Sequence, residues 1–73
     1  MTQKKAKDLA WDNGYLISSG LALSGWGYAE VFRKEDVELY REDVKPIKIF
    51  NKPYSKKRNV LIAYNYTELN KIS

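Results

Sequence analysis

Lys52, Tyr54, Lys56, Lys57 and Arg58 fall within seven residues, four cations around one aromatic ring. Cations at this density suit a phosphate backbone. Each contact releases condensed counterions, and the ring can pack on a sugar or a base. No acid interrupts the chain from Val44 to Thr67. The plainer account is a loop that collects lysines for solubility. Lys48 lies just upstream, and Lys4, Lys5 and Lys7 form a second basic group near the N-terminus. Those three read first as a solvated helix face, and as phosphate contacts if that helix lies beside the basic loop.

Trp26 stands between Gly25 and Gly27. A ring flanked by two glycines reads as a core plug. Its alternative is an exposed anchor, because tryptophan is a frequent interface hot spot. Gly20, Gly25 and Gly27 match neither the phosphate-loop nor the dinucleotide pattern and read as turn residues. Glu35, Asp36, Glu38, Glu42 and Asp43 could in principle do acid–base work or hold a hard cation. They alternate with Arg33, Lys34 and Arg41, as on a solvated helix face, where Lys34 and Arg41 are within reach of Glu38. These acids would oppose the basic segment and give the domain a dipolar surface.

Whole classes of chemistry fall to composition. The 73 residues contain no histidine and no cysteine. Ser–His and Cys–His catalysis, the usual zinc sites and disulfides are therefore excluded. No spacing points to a nuclease built from Lys, Arg, Glu and Tyr. The expectation is a non-enzyme without metal or cofactor. No apolar run approaches the length of a membrane span, and no signal-peptide core follows the basic N-terminus, so a cytoplasmic location is expected. Absence of cysteine agrees with a reducing compartment.

Length allows one domain, 1–73, with a marginal core. Trp11, Trp26, Phe32, Phe50 and six tyrosines offer apolar area to fill it. A homodimer or obligate complex would supply more burial. Net charge is +4 and unevenly spread. Glu30–Asp43 holds six acids and three bases, whereas Val44–Ser73 holds seven bases and one acid, Glu68. The basic half favours an anionic partner, nucleic acid or an acidic protein face.

The elements that position these groups follow from pattern. Thr2–Trp11 reads as a helix capped by Thr2, with Ala6, Leu9 and Ala10 on one side. Asn13-Gly14 ends it. Tyr15–Leu23 and Tyr28–Phe32 suit strands, although a short helix over Ser18–Leu23 also fits. Arg33–Asp43 favours a charged central helix with Val37, Tyr40 and Val44 as its stripe, ended by Pro46. Lys45–Phe50 and Asn59–Tyr66 alternate with period two, so Tyr64 and Tyr66 would share one face. Asn51–Arg58 then becomes the basic tip of a C-terminal β-hairpin. Thr67 caps a last helical turn, Glu68–Ile72.

The segment Glu30-Val31-Phe32-Arg33-Lys34-Glu35-Asp36-Val37 resembles the strand that runs into a helix in small winged-helix DNA-binding domains of the MerR and excisionase type. Arg58–Leu69 resembles the same unit more loosely. The resemblance implies DNA binding and assigns no site residues.

The expected fold is thus α+β: an N-terminal helix, a central charged helix and a small antiparallel sheet with a C-terminal β-hairpin, winged-helix-like. The alternative is an SH3-like β-barrel, with Tyr15–Leu23, Tyr28–Phe32, Val37–Tyr40, Lys45–Phe50 and Asn59–Tyr66 as strands. The expected function is a small nucleic-acid-binding accessory or regulatory protein, of a phage or mobile element, with DNA as the first choice of partner. Lys52, Tyr54, Lys56, Lys57, Arg58, Lys48, Lys4, Lys5 and Trp26 are the expected contacts. The alternative is a non-enzymatic inhibitor or adaptor that occludes a host nucleic-acid-handling or defence protein.

Overall fold

The computed structural model describes residues 1–39, 43–52 and 55–72. It is a small α+β domain. In chain order its elements are α1 (Gln3–Asp12), β1 (Tyr15–Leu21), β2 (Gly27–Arg33), α2 (Lys34–Glu38), β3 (Lys48–Lys52) and α3 (Lys56–Ile72). The strands form one antiparallel sheet in the order β1-β2-β3.

The first half follows the sequence pattern. Thr2 caps α1, its Oγ1 accepting from the Lys5 N–H at 3.2 Å. Asn13 closes the helix, and Gly14 turns the chain at φ +92°, a backbone that costs glycine little. β1 and β2 join through Leu23-Ser24-Gly25. The Gly25 N–H donates to the Ala22 carbonyl at 2.9 Å, and Gly25 itself adopts φ +84°. That is the three-residue hairpin loop that needs glycine at its left-handed position.

The core lies between one sheet face and helices α1 and α3. Its fully buried apolar residues are Ala6 and Ala10 from α1, Ile17 from β1, Ala29 and Val31 from β2, and Val60 and Ala63 from α3. Four of these seven are alanines, so the layers approach closely. Larger side chains, among them Tyr15, Phe50 and Tyr64, seal the margin. Neither tryptophan fills this core: Trp11 is 38% and Trp26 47% exposed. The reading of Trp26 as a core plug is therefore overturned. It adjoins a hairpin loop that projects past the sheet, where no layer is left to cover it.

The C-terminal half differs most from expectation. No β-hairpin forms from 45 to 66, because Asn59–Tyr66 is helix within α3. Val60, Ala63 and Thr67 form the buried face, at spacings of three and four. The alternation of Val60, Ile62, Tyr64 and Tyr66 fitted both periods. Length decides between them: α3 runs 17 residues without Gly or Pro, far beyond an ordinary strand. Tyr64 and Tyr66 consequently do not share a face. Thr67 lies inside the helix, donating its hydroxyl to the Tyr64 carbonyl at 2.7 Å, and caps nothing. The five strands of the barrel alternative are not formed either, since Val37 lies in α2 and 59–66 in α3.

The central helix is shorter than Arg33–Asp43. α2 stops at Glu38, and Tyr40, Arg41 and Glu42 lie outside the described residues. β3 must begin opposite Val31, and the Ile47 N–H donates to the Val31 carbonyl at 2.7 Å. The chain thus leaves and rejoins the same end of the sheet. A helix to Asp43 would run about 15 Å outward and leave only Val44–Ile47 for the return.

Candidate functional site

Strand register sorts the charged residues to two ends. Leu21 pairs with Gly27 and Gly27 with Lys52, which defines one end of the sheet. Tyr15 pairs with Arg33 at the other, about 20 Å away. Both packed helices start at the first end. In α1, the Gln3 Nε2 donates to Ser19 Oγ at 3.2 Å, whereas Asn13 lies at the far end. In α3, Tyr66 meets Phe50 edge-on at 5.6 Å. Glu68 and Lys71 bond Asn13, so the late turns of α3 lie at the far end and Lys56 at the near one.

The near end therefore gathers the first turns of α1 and α3, the β1–β2 loop and the end of β3. Lys4 and Lys5 are exposed on α1. Lys57 and Arg58 are exposed on α3, with Lys56 half-buried. Ser55 starts that helix, its carbonyl accepting from the Arg58 N–H at 3.1 Å and its Oγ lying 3.4 Å from the same nitrogen. Neither helix has an acid in its first turn. Trp26 adjoins the loop, and Leu23 at its tip is wholly exposed.

Seven of the nine expected contacts thus belong to segments that meet at one end: Lys4, Lys5, Trp26, Lys52, Lys56, Lys57 and Arg58. The basic run sits on a helix start instead of a hairpin tip. Tyr54 lies outside the described residues. Lys48 is set apart, because it opens β3 opposite Val31. Its ammonium lies 5.9 Å from the Phe50 ring and 5.8 Å from Tyr66, a cation–π site at the sheet edge. Leu23 was not singled out from sequence. Its signal was the Ser24-Gly25 pair, which marks a tight turn with its preceding residue at the tip.

The arrangement is electrostatically costly in isolation. Cations at helix starts oppose the helix dipole, which favours negative charge there. Within the first turns the Lys5 and Arg58 N–H groups are taken by Thr2 and Ser55. An external anion would relieve the clash of cations with the dipole.

The far end mixes acids and bases. Glu35 and Asp36 occupy the first turn of α2, with Glu38 in its last. α2 stands at the end opposite the basic group, but Arg33, Lys34 and Lys71 lie there with its acids, so that end is mixed in charge and the expected dipolar surface is not shown. A shallow cleft there is lined by Asn13, Gly14, Tyr15, Arg33, Lys34, Glu35 and Glu38. Trp11 flanks that end, with the Lys34 ammonium 4.4 Å from its ring centre. Nearby, Glu68 accepts from the Tyr64 hydroxyl at 2.9 Å and from Asn13 Nδ2 at 3.2 Å. That hydrogen bond, with some burial and the Glu68 charge, raises the Tyr64 phenol above its ordinary value near 10. This network ties α1 to α3.

Among the described residues, no group of three or more acidic side chains is placed to hold a metal ion, and no helix is long and apolar enough to cross a membrane. Comparison of the chain with protein-family models, with curated proteins and with solved structures finds no match.

Proposed function

We propose that this chain is a small nucleic-acid-binding accessory or regulatory domain that lays its basic end on the phosphates of a duplex. One observation carries the reading. Lys4 and Lys5 of α1 and Lys56, Lys57 and Arg58 of α3 converge at one end, with no acid in either first turn. Helix starts and cations together suit phosphate oxygens. The hairpin tip, with Leu23 and Trp26, then packs beside the backbone. In this reading α3, not a hairpin wing, carries the main contacts.

A duplex is favoured over a single strand. The sheet face turned away from the helices holds Leu16, Ser18, Gly20, Tyr28, Glu30, Phe32, Ile49 and Asn51 by register. It carries an acid and no cation, so it is a poor stacking platform for single strands, which need a positive groove beside the rings.

Fluorescence anisotropy with labelled DNA and RNA duplexes of about 20 base pairs tests the proposal. Five cations predict a log–log salt slope of about −4.5 for DNA, at about 0.9 per phosphate neutralised. The Lys56→Ala/Lys57→Ala/Arg58→Ala variant should bind more weakly, with a slope near about −2. Equal binding by parent and variant, or no binding to either duplex at about 50 mM salt, refutes the reading.

The exposed Leu23 and Trp26 favour a second reading, an inhibitor or adaptor that seats this end on an acidic protein surface. Capture of one stoichiometric protein after nuclease treatment, without intrinsic duplex binding, would select it.

A further inference from the structure

We propose that the β1–β2 hairpin tip is a wedge: Leu23 enters the minor groove of the bound duplex, opens one base step and bends the DNA. This rests on the reading of the basic end as a duplex site, and adds what the apolar tip does there.

Three large apolar residues are exposed on this one hairpin, Leu21, Leu23 and Trp26, and Leu23 is wholly so. The loop that carries them is closed by its own main chain. The Ala22 N–H donates to the Trp26 carbonyl at 2.8 Å, and the Gly25 N–H to the Ala22 carbonyl at 2.9 Å. The tip is thus held in shape without help from the Leu23 side chain.

One exposed leucine is ordinary on a protein surface, but the setting of Leu23 is not. Lys4 and Lys5 are exposed at the start of α1, which packs on β1. Lys57 is exposed at the start of α3, which also packs on β2 and β3. Cations therefore stand behind both flanks of an apolar tip. A partner that satisfies tip and cations together is anionic at its rim and apolar within. A duplex has that build, with phosphates outside and stacked bases inside.

Chemistry and reach select the groove. Major-groove readout needs donors and acceptors at the base edges. The tip, Ala22-Leu23-Ser24-Gly25-Trp26, has two polar side-chain groups, the Ser24 hydroxyl and the indole N–H. Apolar side chains act instead as wedges between base steps, from the minor groove. Leu21 pairs with Gly27 at the end of the sheet, so Leu23 stands two residues beyond it. That is about 7 Å, close to the minor-groove depth of about 7.5 Å. A two-stranded ribbon is broader than a groove of about 6 Å, and opening a base step bends the duplex toward the major groove and widens the minor one. With Trp26 against the backbone, Leu23 is the residue left to enter.

Two optical signals on labelled DNA test the proposal with the full chain. 2-Aminopurine at the centre of a duplex reports unstacking, and energy transfer between dyes on its ends reports bending. The parent should produce both, with a bend of at least about 20°. A duplex with a central mismatch, already easier to unstack, should bind the parent at least about tenfold more tightly than the matched one. Leu23→Ser, at an exposed position, should keep its circular dichroism and its salt slope, bind the matched duplex more weakly, and lose both signals and the mismatch preference. Leu23→Met should retain them. Binding by the parent without unstacking or bending overturns the wedge and leaves the duplex reading in place. So does a Leu23→Ser variant that bends DNA as the parent does. No binding to any duplex overturns the duplex reading and the wedge with it. Leu23-dependent binding to vesicles of anionic phospholipid, with the duplex left straight, assigns the tip to a lipid surface and overturns the wedge.

Discussion

Asn59 offers the sharpest test of the packing that holds the basic end in place. It lies in the first turn of α3, is fully buried, and neither its Oδ1 nor its Nδ2 has a hydrogen-bond partner. An unpaired buried polar group costs about 1–3 kcal/mol. Asn59→Leu keeps the branching at Cγ and replaces both polar atoms with methyl groups. Relief of the unpaired amide contributes about 2–3 kcal/mol, and the slightly larger side chain takes back about 1 kcal/mol in crowding. The net gain is about 1–2 kcal/mol. For a domain of this size each kcal/mol shifts the melting temperature by about 4–8 °C, so the variant should melt about 4–16 °C higher. Asn59→Asp sets the opposite limit, because a buried unpaired carboxylate should cost about 3 kcal/mol or more. Thermal and urea unfolding followed by circular dichroism read both. A loss of stability in Asn59→Leu would refute the reasoning, since it would mean that the amide is bonded in solution. Duplex affinity should not change in Asn59→Leu, because the side chain does not reach the surface.

Tyr64 gives a pH signature. Its phenol is raised by the bond to Glu68, so the folded state holds that proton more tightly than the unfolded state. The associated stability is complete below about pH 10 and is lost as pH rises through the raised value. Absorbance titration should show a late phenol phase that Tyr64→Phe abolishes. Gly14→Ala should cost about 1–2 kcal/mol in urea unfolding, because φ is +92° and nothing lies within 4 Å of the added carbon to compensate or clash. Gly14→Asn should cost less, since asparagine visits that conformation more readily.

Local chemistry was legible wherever one residue type answers one geometric demand. Thr2 as a cap, Asn13-Gly14 as a stop, and Ser24-Gly25 as a turn all follow from backbone needs met within a few residues. Alternation allowed a strand over 15–23 but also a short helix over Ser18–Leu23, and 28–32 was legible as strand from its β-favouring residues after the glycines. The charge partition was also legible, because acids and bases are segregated along the chain itself. The segment 59–66 was not read correctly, since Val60, Ile62, Tyr64 and Tyr66 satisfy the strand period while Val60, Ala63 and Thr67 satisfy the helix period.

Sequence by itself therefore determined that this chain has a basic group, an acidic group, and no histidine or cysteine chemistry. Only the tertiary structure decided where the basic group stands. Packing of Val60, Ala63 and Thr67 against the sheet selects helix for α3, and antiparallel register then puts its start beside that of α1. Lys4 and Lys5 come to share an end with Lys56, Lys57 and Arg58, more than fifty positions on, because both helices pack on one sheet face and begin at the same end. No local pattern encodes that coincidence, since it depends on strand order and register.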